Sequence, residues 1–247
     1  MNRLITIFAL FSCLSSGCAP LTEAKDAQGA GNKSETVVLL HGFGRSNTAM
    51  WLLARRLQSA GYNVVRVGYD SLQSSPGEIL QDISQKIEAC CKNLEQPVHF
   101  VGHSLGGLMI RAYLGQHKIK QMGRAVLIGT PNEGTPLVDI FKDSWWMQFT
   151  GPTARALGTD SSSFPNTLPV PDYPLGIIAG VTENGFFSDQ IPGKDDGLVP
   201  VESTFLEGMS DFIIIETNHT MMRYNEEVAL QAIEFLKRGK FSKQTVN

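Results

Sequence analysis

The sequence predicts an α/β protein: a mostly parallel central sheet flanked by helices, with one long insertion. Three observations carry that expectation. Short apolar runs alternate with helical patterns from about residue 37 to 238, as they do where parallel strands are buried on both faces and joined by helices. The hydrophobic fraction is 42% and the charged fraction 18% over 247 residues, which suits one large core rather than disorder. The stretch 132–175 breaks the alternation and is too long for an ordinary connection inside a compact domain.

The elements follow in order. Residues 37–40 form a continuous apolar run and read as the first strand. Asn47 is placed to cap a helix to about Ala60, and Gly61 to end it. Residues 64–67 are the second strand. The helix expected over 77–94 carries an apolar stripe at 79, 83, 87, 90 and 94. A third strand at 98–101 leads into a helix from about Leu105. Further strands are expected at 125–128, 177–179 and 212–215. The last helix, about 225–238, has Ala229, Ile233 and Leu236 on its apolar face.

The N-terminus departs from this pattern. Asn2-Arg3, an apolar run over 4–14 and the small residues before Cys18 read as an export signal over 1–17. The run is shorter than the roughly 20 residues a mature membrane-spanning helix needs. Gly17-Cys18 resembles the end of a bacterial lipobox, which makes Cys18 the candidate lipidation site; Cys13 is a poorer match. The expectation is a protein of the bacterial cell envelope, anchored to the membrane by an N-terminal lipid. The alternative is simple signal cleavage and a soluble periplasmic or secreted protein. Residues 18–34 read as a flexible tether and 35–240 as the folded domain. Net charge is −3, which gives no basic footprint for nucleic acid and no polybasic patch for anionic lipid. Protein partners are unspecified. Cys90 and Cys91 read as unbridged thiols on a helix, because disulfides want Cα atoms roughly 4.4–6.8 Å apart. No CxxC or HxH spacing occurs, so no metal site is expected.

The sharpest signal is Gly102-His103-Ser104-Leu105-Gly106-Gly107. A strand precedes it and a helix follows, the strand–turn–helix setting of a nucleophile elbow. Glycines two residues to either side let strand and helix crowd together there. A serine hydroxyl needs a base. Of five histidines, only His117 and His219 follow Ser104, and in an elbow fold the base comes last. His117 lies at the end of the serine's own helix, so His219 is the candidate. The acid should fall between them, in Lys194-Asp195-Asp196-Gly197. Adjacent carboxylates point opposite ways. Asp196 is the choice, leaving Asp195 as an exposed turn residue. The carboxylate fixes the imidazole tautomer and stabilises the imidazolium. Two donors are needed for the oxyanion. Leu105 N–H is one candidate, and Phe43 N–H, in His41-Gly42-Phe43-Gly44, is the other. His41 reads as a loop brace. In the insertion, Trp145, Trp146 and Phe149 are candidate substrate-binding residues under a lid-like cap; the alternative is a structural excursion with its aromatics packed on the core.

Together, His41-Gly42-Phe43-Gly44, the Ser104 motif, Ile128-Gly129-Thr130-Pro131, Asp196-Gly197-Leu198-Val199-Pro200 and His219 resemble the bacterial lipase and esterase branch of the α/β-hydrolase superfamily. Asn132-Glu133 stand where such lipases often have His and a basic residue. The resemblance implies hydrolysis of an ester or lipid substrate through an acyl-enzyme on Ser104, without a cofactor. Acyl transfer or thioester cleavage would use the same three residues. A non-catalytic binding protein would have no need of them in register.

Overall fold

Six strands, all parallel, build the sheet: β1 (Thr36–Leu40), β2 (Asn63–Val67), β3 (Val98–His103), β4 (Met122–Ile128), β5 (Leu175–Val181) and β6 (Asp211–Glu216), in spatial order β2-β1-β3-β4-β5-β6. The computed structural model describes residues 34–145 and 147–242. The chain divides into residues 1–32 and 33–247, and this account concerns the second unit. The signal, Cys18 and Trp146 lie outside the described residues.

Every residue of β1 and β3 is buried. Their continuous apolar runs thus report two covered faces rather than one. On one face, Val38, Leu40, Phe100 and Leu127 pack against α2 (Pro76–Cys91) and α3 (Leu105–Gln116). On the other, Val37, Leu39, Val101 and Val126 pack against α1 (Trp51–Ser59) and α6 (Glu226–Arg238). Helix α2 starts on a capping box in which Ser75 and Glu78 satisfy each other's main chain, with Pro76 in the first turn. Helix α6 is capped by the Asn225 side chain and closed by Gly239 at φ 73°.

Three local expectations change. Asn47 opens a 3-10 turn that leads into α1 and makes no side-chain cap. The α2 stripe ends at Cys91 and not Cys90, because four residues after Ile87 completes the turn more closely than three. In α6 the buried apolar positions are Val228, Ala229, Ala232, Phe235 and Leu236, while Ile233 is only half-buried. Cys90 and Cys91 are also corrected: they form a vicinal disulfide with Cα atoms 3.8 Å apart. Adjacent Cβ atoms sit close enough for the sulfurs to turn toward each other where the helix ends.

The insertion contains α4 (Pro136–Phe141), α5 (Gly151–Arg155) and 3-10 turns at Met147–Phe149 and Phe164–Thr167. Its stem closes through Thr135 N–H to Leu157 O at 2.9 Å. Its far end crosses to the loop after β2, where the Thr153 hydroxyl donates to Ser74 O at 2.7 Å.

Candidate active site

Ser104 sits between β3 and α3 with φ 55° and ψ −124°, the one positive-φ residue other than glycine among the described residues. The strain is held by packing. A Cβ on Gly102 would lie 2.6 Å from the Gly106 main chain, and one on Gly106 would lie 2.5 Å from Leu40 O. Either contact forces the elbow open. Ser104 N–H is bonded to Ile128 O at 2.8 Å, and Ser104 O accepts Gly107 N–H at 2.9 Å. The strained peptide is thus tied to β4 and to the first turn of α3.

His219 follows β6 and Asp196 follows β5, so all three side chains emerge at the C-terminal edge of the sheet. Imidazole Nδ1–H donates to Asp196 Oδ2 at 2.7 Å. That leaves Nε2 as an acceptor facing Ser104 Oγ at 3.0 Å. The other Asp196 oxygen accepts Leu198 and Val199 N–H at 3.1 and 2.8 Å. The His219 main-chain N–H binds Asp196 O at 2.8 Å. Both members of the pair are therefore oriented before any substrate arrives.

Asp195 is not an exposed turn residue. It is 3% exposed, and its Oδ1 accepts Gly197 N–H at 2.6 Å and the Ser188 hydroxyl at 2.7 Å. Because Gly197 adopts φ 95°, the turn folds back so that both adjacent carboxylates find donors. Two further glycines leave room for the pair. A Cβ on Gly129 would lie 3.2 Å from Asp196 Oδ2 and 3.3 Å from His219 Nδ1; one on Gly180 would lie 2.9 Å from Asp196 Cβ.

The loop after β1 runs against the serine: a Cβ on Gly42 would stand 3.1 Å from Ser104 Cβ. Phe43 is the next residue, and Gly44 N–H is fixed to Ser71 Oγ at 2.9 Å. His41 braces this loop. Its ring is buried, stacks on Tyr69 at 4.1 Å and accepts Tyr69 N–H at Nε2. Burial lowers the pKa of His41. Leu105 is the first residue of α3, and an N–H in the first helical turn has no partner within the helix.

Sequence reasoning passed over two buried polar residues. His103 donates Nε2–H to His219 O at 2.9 Å, and its Nδ1 has no partner among the described residues. Burial, and then the neighbouring His219, push its pKa well below the usual histidine range. Arg111, on α3, donates to Asn132 O and Oδ1 at 3.0 and 3.2 Å, and burial pulls its guanidinium down to about 10. It ties the nucleophile helix to the root of the insertion. Their only sequence signal is a polar residue inside an apolar helix or strand.

The described aromatic candidates of the insertion, Trp145 and Phe149, are not packed on the core. Trp145 and Phe149 are 76% and 74% exposed and meet edge to face. A cavity of about 290 Å³ does reach Asp196 and His219, but Phe186, Phe187, Leu198 and Asn218 wall it. Phe187 in turn contacts Phe141 of α4 at 5.7 Å. Among the described residues no group of three His, Cys, Asp or Glu is arranged to hold a metal, and no helix is long and apolar enough to cross a membrane.

A parallel sheet of this order, carrying a strained serine between β3 and α3 and a histidine after β6, defines an esterase-like α/β-hydrolase: an enzyme that hydrolyses esters or thioesters. The family described as palmitoyl protein thioesterase matches residues 36–162, and the chain belongs to it. No curated protein matches the sequence. Among solved structures, the mature Bacillus licheniformis lipase BlEst2 is similar, with 19% identity over 85% of this chain and 93% of its own and a TM-score of 0.67. Phospholipase PlaB from Legionella pneumophila is 12% identical over 84% of this chain and 60% of its own, with a TM-score of 0.62. The Pyrococcus furiosus esterase Pf2001 is 19% identical over 83% of each chain, with a TM-score of 0.55. At these identities the likeness is one of fold.

Proposed function

We propose that the protein cleaves acyl esters or thioesters through an acyl-enzyme on Ser104. The observation that carries this is the unbroken relay from Ser104 Oγ through His219 to Asp196, at 3.0 and 2.7 Å. Ser104 Oγ attacks the acyl carbon as its proton passes to His219 Nε2. The oxyanion takes the N–H groups of Leu105 and Phe43. The carbon–oxygen or carbon–sulfur bond breaks, and the imidazolium protonates the departing alkoxide or thiolate. Water then attacks the acyl-serine by the same route and releases the acid. Membership of a family described by palmitoyl-protein thioester cleavage supports sulfur as well as oxygen leaving groups.

Export to the cell envelope belongs to the same proposal. The Cys90–Cys91 disulfide supports it, since disulfides persist in oxidising compartments. Mass spectrometry of the mature N-terminus reads out lipidation at Cys18 directly.

The test of the activity is fluorophosphonate labelling together with turnover of p-nitrophenyl esters and a palmitoyl thioester. Wild type should be labelled and should turn over at least one substrate type; Ser104→Ala should do neither. A folded wild type that takes no label and cleaves neither substrate would overturn the reading.

A further inference from the structure

The opposite edge of the sheet carries a cavity of about 360 Å³ between the C-terminal ends of α2 and α3 and the 117–121 connection. Val98, the first residue of β3, lines it, and Ser104 follows the last. Six residues at about 3.3 Å each put the cavity roughly 20 Å from the nucleophile. Its volume falls within the range of small-molecule sites.

The walls and rim differ in chemistry. Ile87, Val98 and Tyr113 are each 1% exposed, and Cys91 of the vicinal disulfide continues the apolar floor. Leu94 and Ile119 complete the walls. The Tyr113 ring stacks on His117 at 4.5 Å. Burial, with Glu88 nearby, pushes that phenol up to about 12, so it stays a neutral hydroxyl. At the rim stand Lys92, Lys118 and Lys120 against one carboxylate, Glu88. Lys118 is engaged by Asp172. Lys92 and Lys120 make no ion pair among the described residues.

An apolar floor, a neutral phenolic residue in the wall and an excess of cations at the mouth match one ligand chemistry. We propose that this cavity is a second binding site, separate from the catalytic edge, for an acyl chain ending in a carboxylate. The alkyl tail lies against Ile87, Val98 and Ile119, and the carboxylate takes the lysine rim and the phenolic hydroxyl. The assignment rests on the cavity alone and stands whichever acyl bond Ser104 cleaves.

Calorimetric titration of the Ser104→Ala protein with monomeric decanoate and with decanol tests it. One decanoate should bind per chain, at least tenfold more tightly than decanol. Adding Ile119→Trp, which fills the cavity, should weaken decanoate at least tenfold. So should the surface pair Lys92→Glu and Lys120→Glu, which leaves the walls intact and covers the case in which the Trp variant fails to fold. The same substitutions placed on wild type should keep fluorophosphonate labelling, which shows an intact catalytic edge. Absent saturation, equal affinity for decanol, or decanoate binding that ignores both the filled cavity and the reversed charges would overturn the site.

Discussion

His103 donates its Nε2–H to the main-chain carbonyl of His219, and the two rings lie 4.8 Å apart. The residue just before the serine therefore anchors the segment that carries the imidazole, across 116 positions of sequence. Replacing His103 by Phe keeps a ring of similar shape and removes the bond. One such bond contributes about 0.5–1.5 kcal/mol, so kcat should fall up to roughly tenfold with KM unchanged. Steady-state kinetics alongside a melting curve checks this; an unaltered kcat would reduce His103 to packing.

The adjacent carboxylates should separate cleanly. Asp196→Asn should lower kcat by a factor on the order of 10⁴ through the wrong imidazole tautomer, with little effect on folding. Asp195→Ala should do the reverse. It strands the Gly197 N–H and the Ser188 hydroxyl, and hydrogen bonds to a charged group are worth about 1.5–3 kcal/mol each. Urea unfolding and kcat per folded molecule, measured on both variants, distinguish them.

Glycine positions divide in the same way. Gly106→Ala drives a methyl into Leu40 O and should cost 3 kcal/mol or more, at or beyond the usual overpacking range of about 1–3 kcal/mol. Gly77, in the first turn of α2, has open space around it and no positive φ. There Ala should stabilise by about 0.4–1 kcal/mol, through the unfolded chain.

Stability should weaken in mild acid. His41, His99 and His103 are buried, and burial lowers each pKa from 6.5. Above pH 6.5 both folded and unfolded chains hold these rings neutral and no penalty arises. Below it the unfolded chain gains protons that the folded chain refuses, until each folded pKa is passed. Each such ring removes up to about 1.4 kcal/mol per pH unit in that window. Urea midpoints should therefore fall from pH 7 to pH 5, and less steeply in His103→Phe.

A role for Trp145 and Phe149 in substrate choice can be tested apart from folding. Both are largely exposed, so the double serine variant should change stability by no more than about 0.5 kcal/mol. If they meet the acyl chain, p-nitrophenyl palmitate should suffer more than p-nitrophenyl acetate. An unchanged chain-length profile would release them from that role.

Much of the molecule was legible from the sequence because its strongest signals are local and periodic. Fully buried strands read as unbroken apolar runs, and the Ser104 motif stood between one such strand and a helix. His219 followed from chain order and from the place of His117 at the end of the serine's own helix. What escaped depends on distant chain. The burial of Asp195 needs Gly197 in a left-handed turn. The bond from His103 needs the loop after β6 to reach back past the ends of β5 and β4 to β3. Helices α4 and α5, of 6 and 5 residues, are too short to show a period, and their form comes from the stem and crossing contacts of the insertion. The disulfide was missed by applying a spacing typical of distant cysteines to neighbours.

The φ of 55° at Ser104 makes an inverted ranking measurable. Alanine ordinarily outlasts glycine at a matched site, since it restricts the denatured ensemble. At a left-handed position of this kind the conflict is about 1–3 kcal/mol, so a glycine at 104 should melt above an alanine there, although both lack the hydroxyl. The gap between those two inert proteins would measure how much robustness this chain gives up to hold its reactive atom in place.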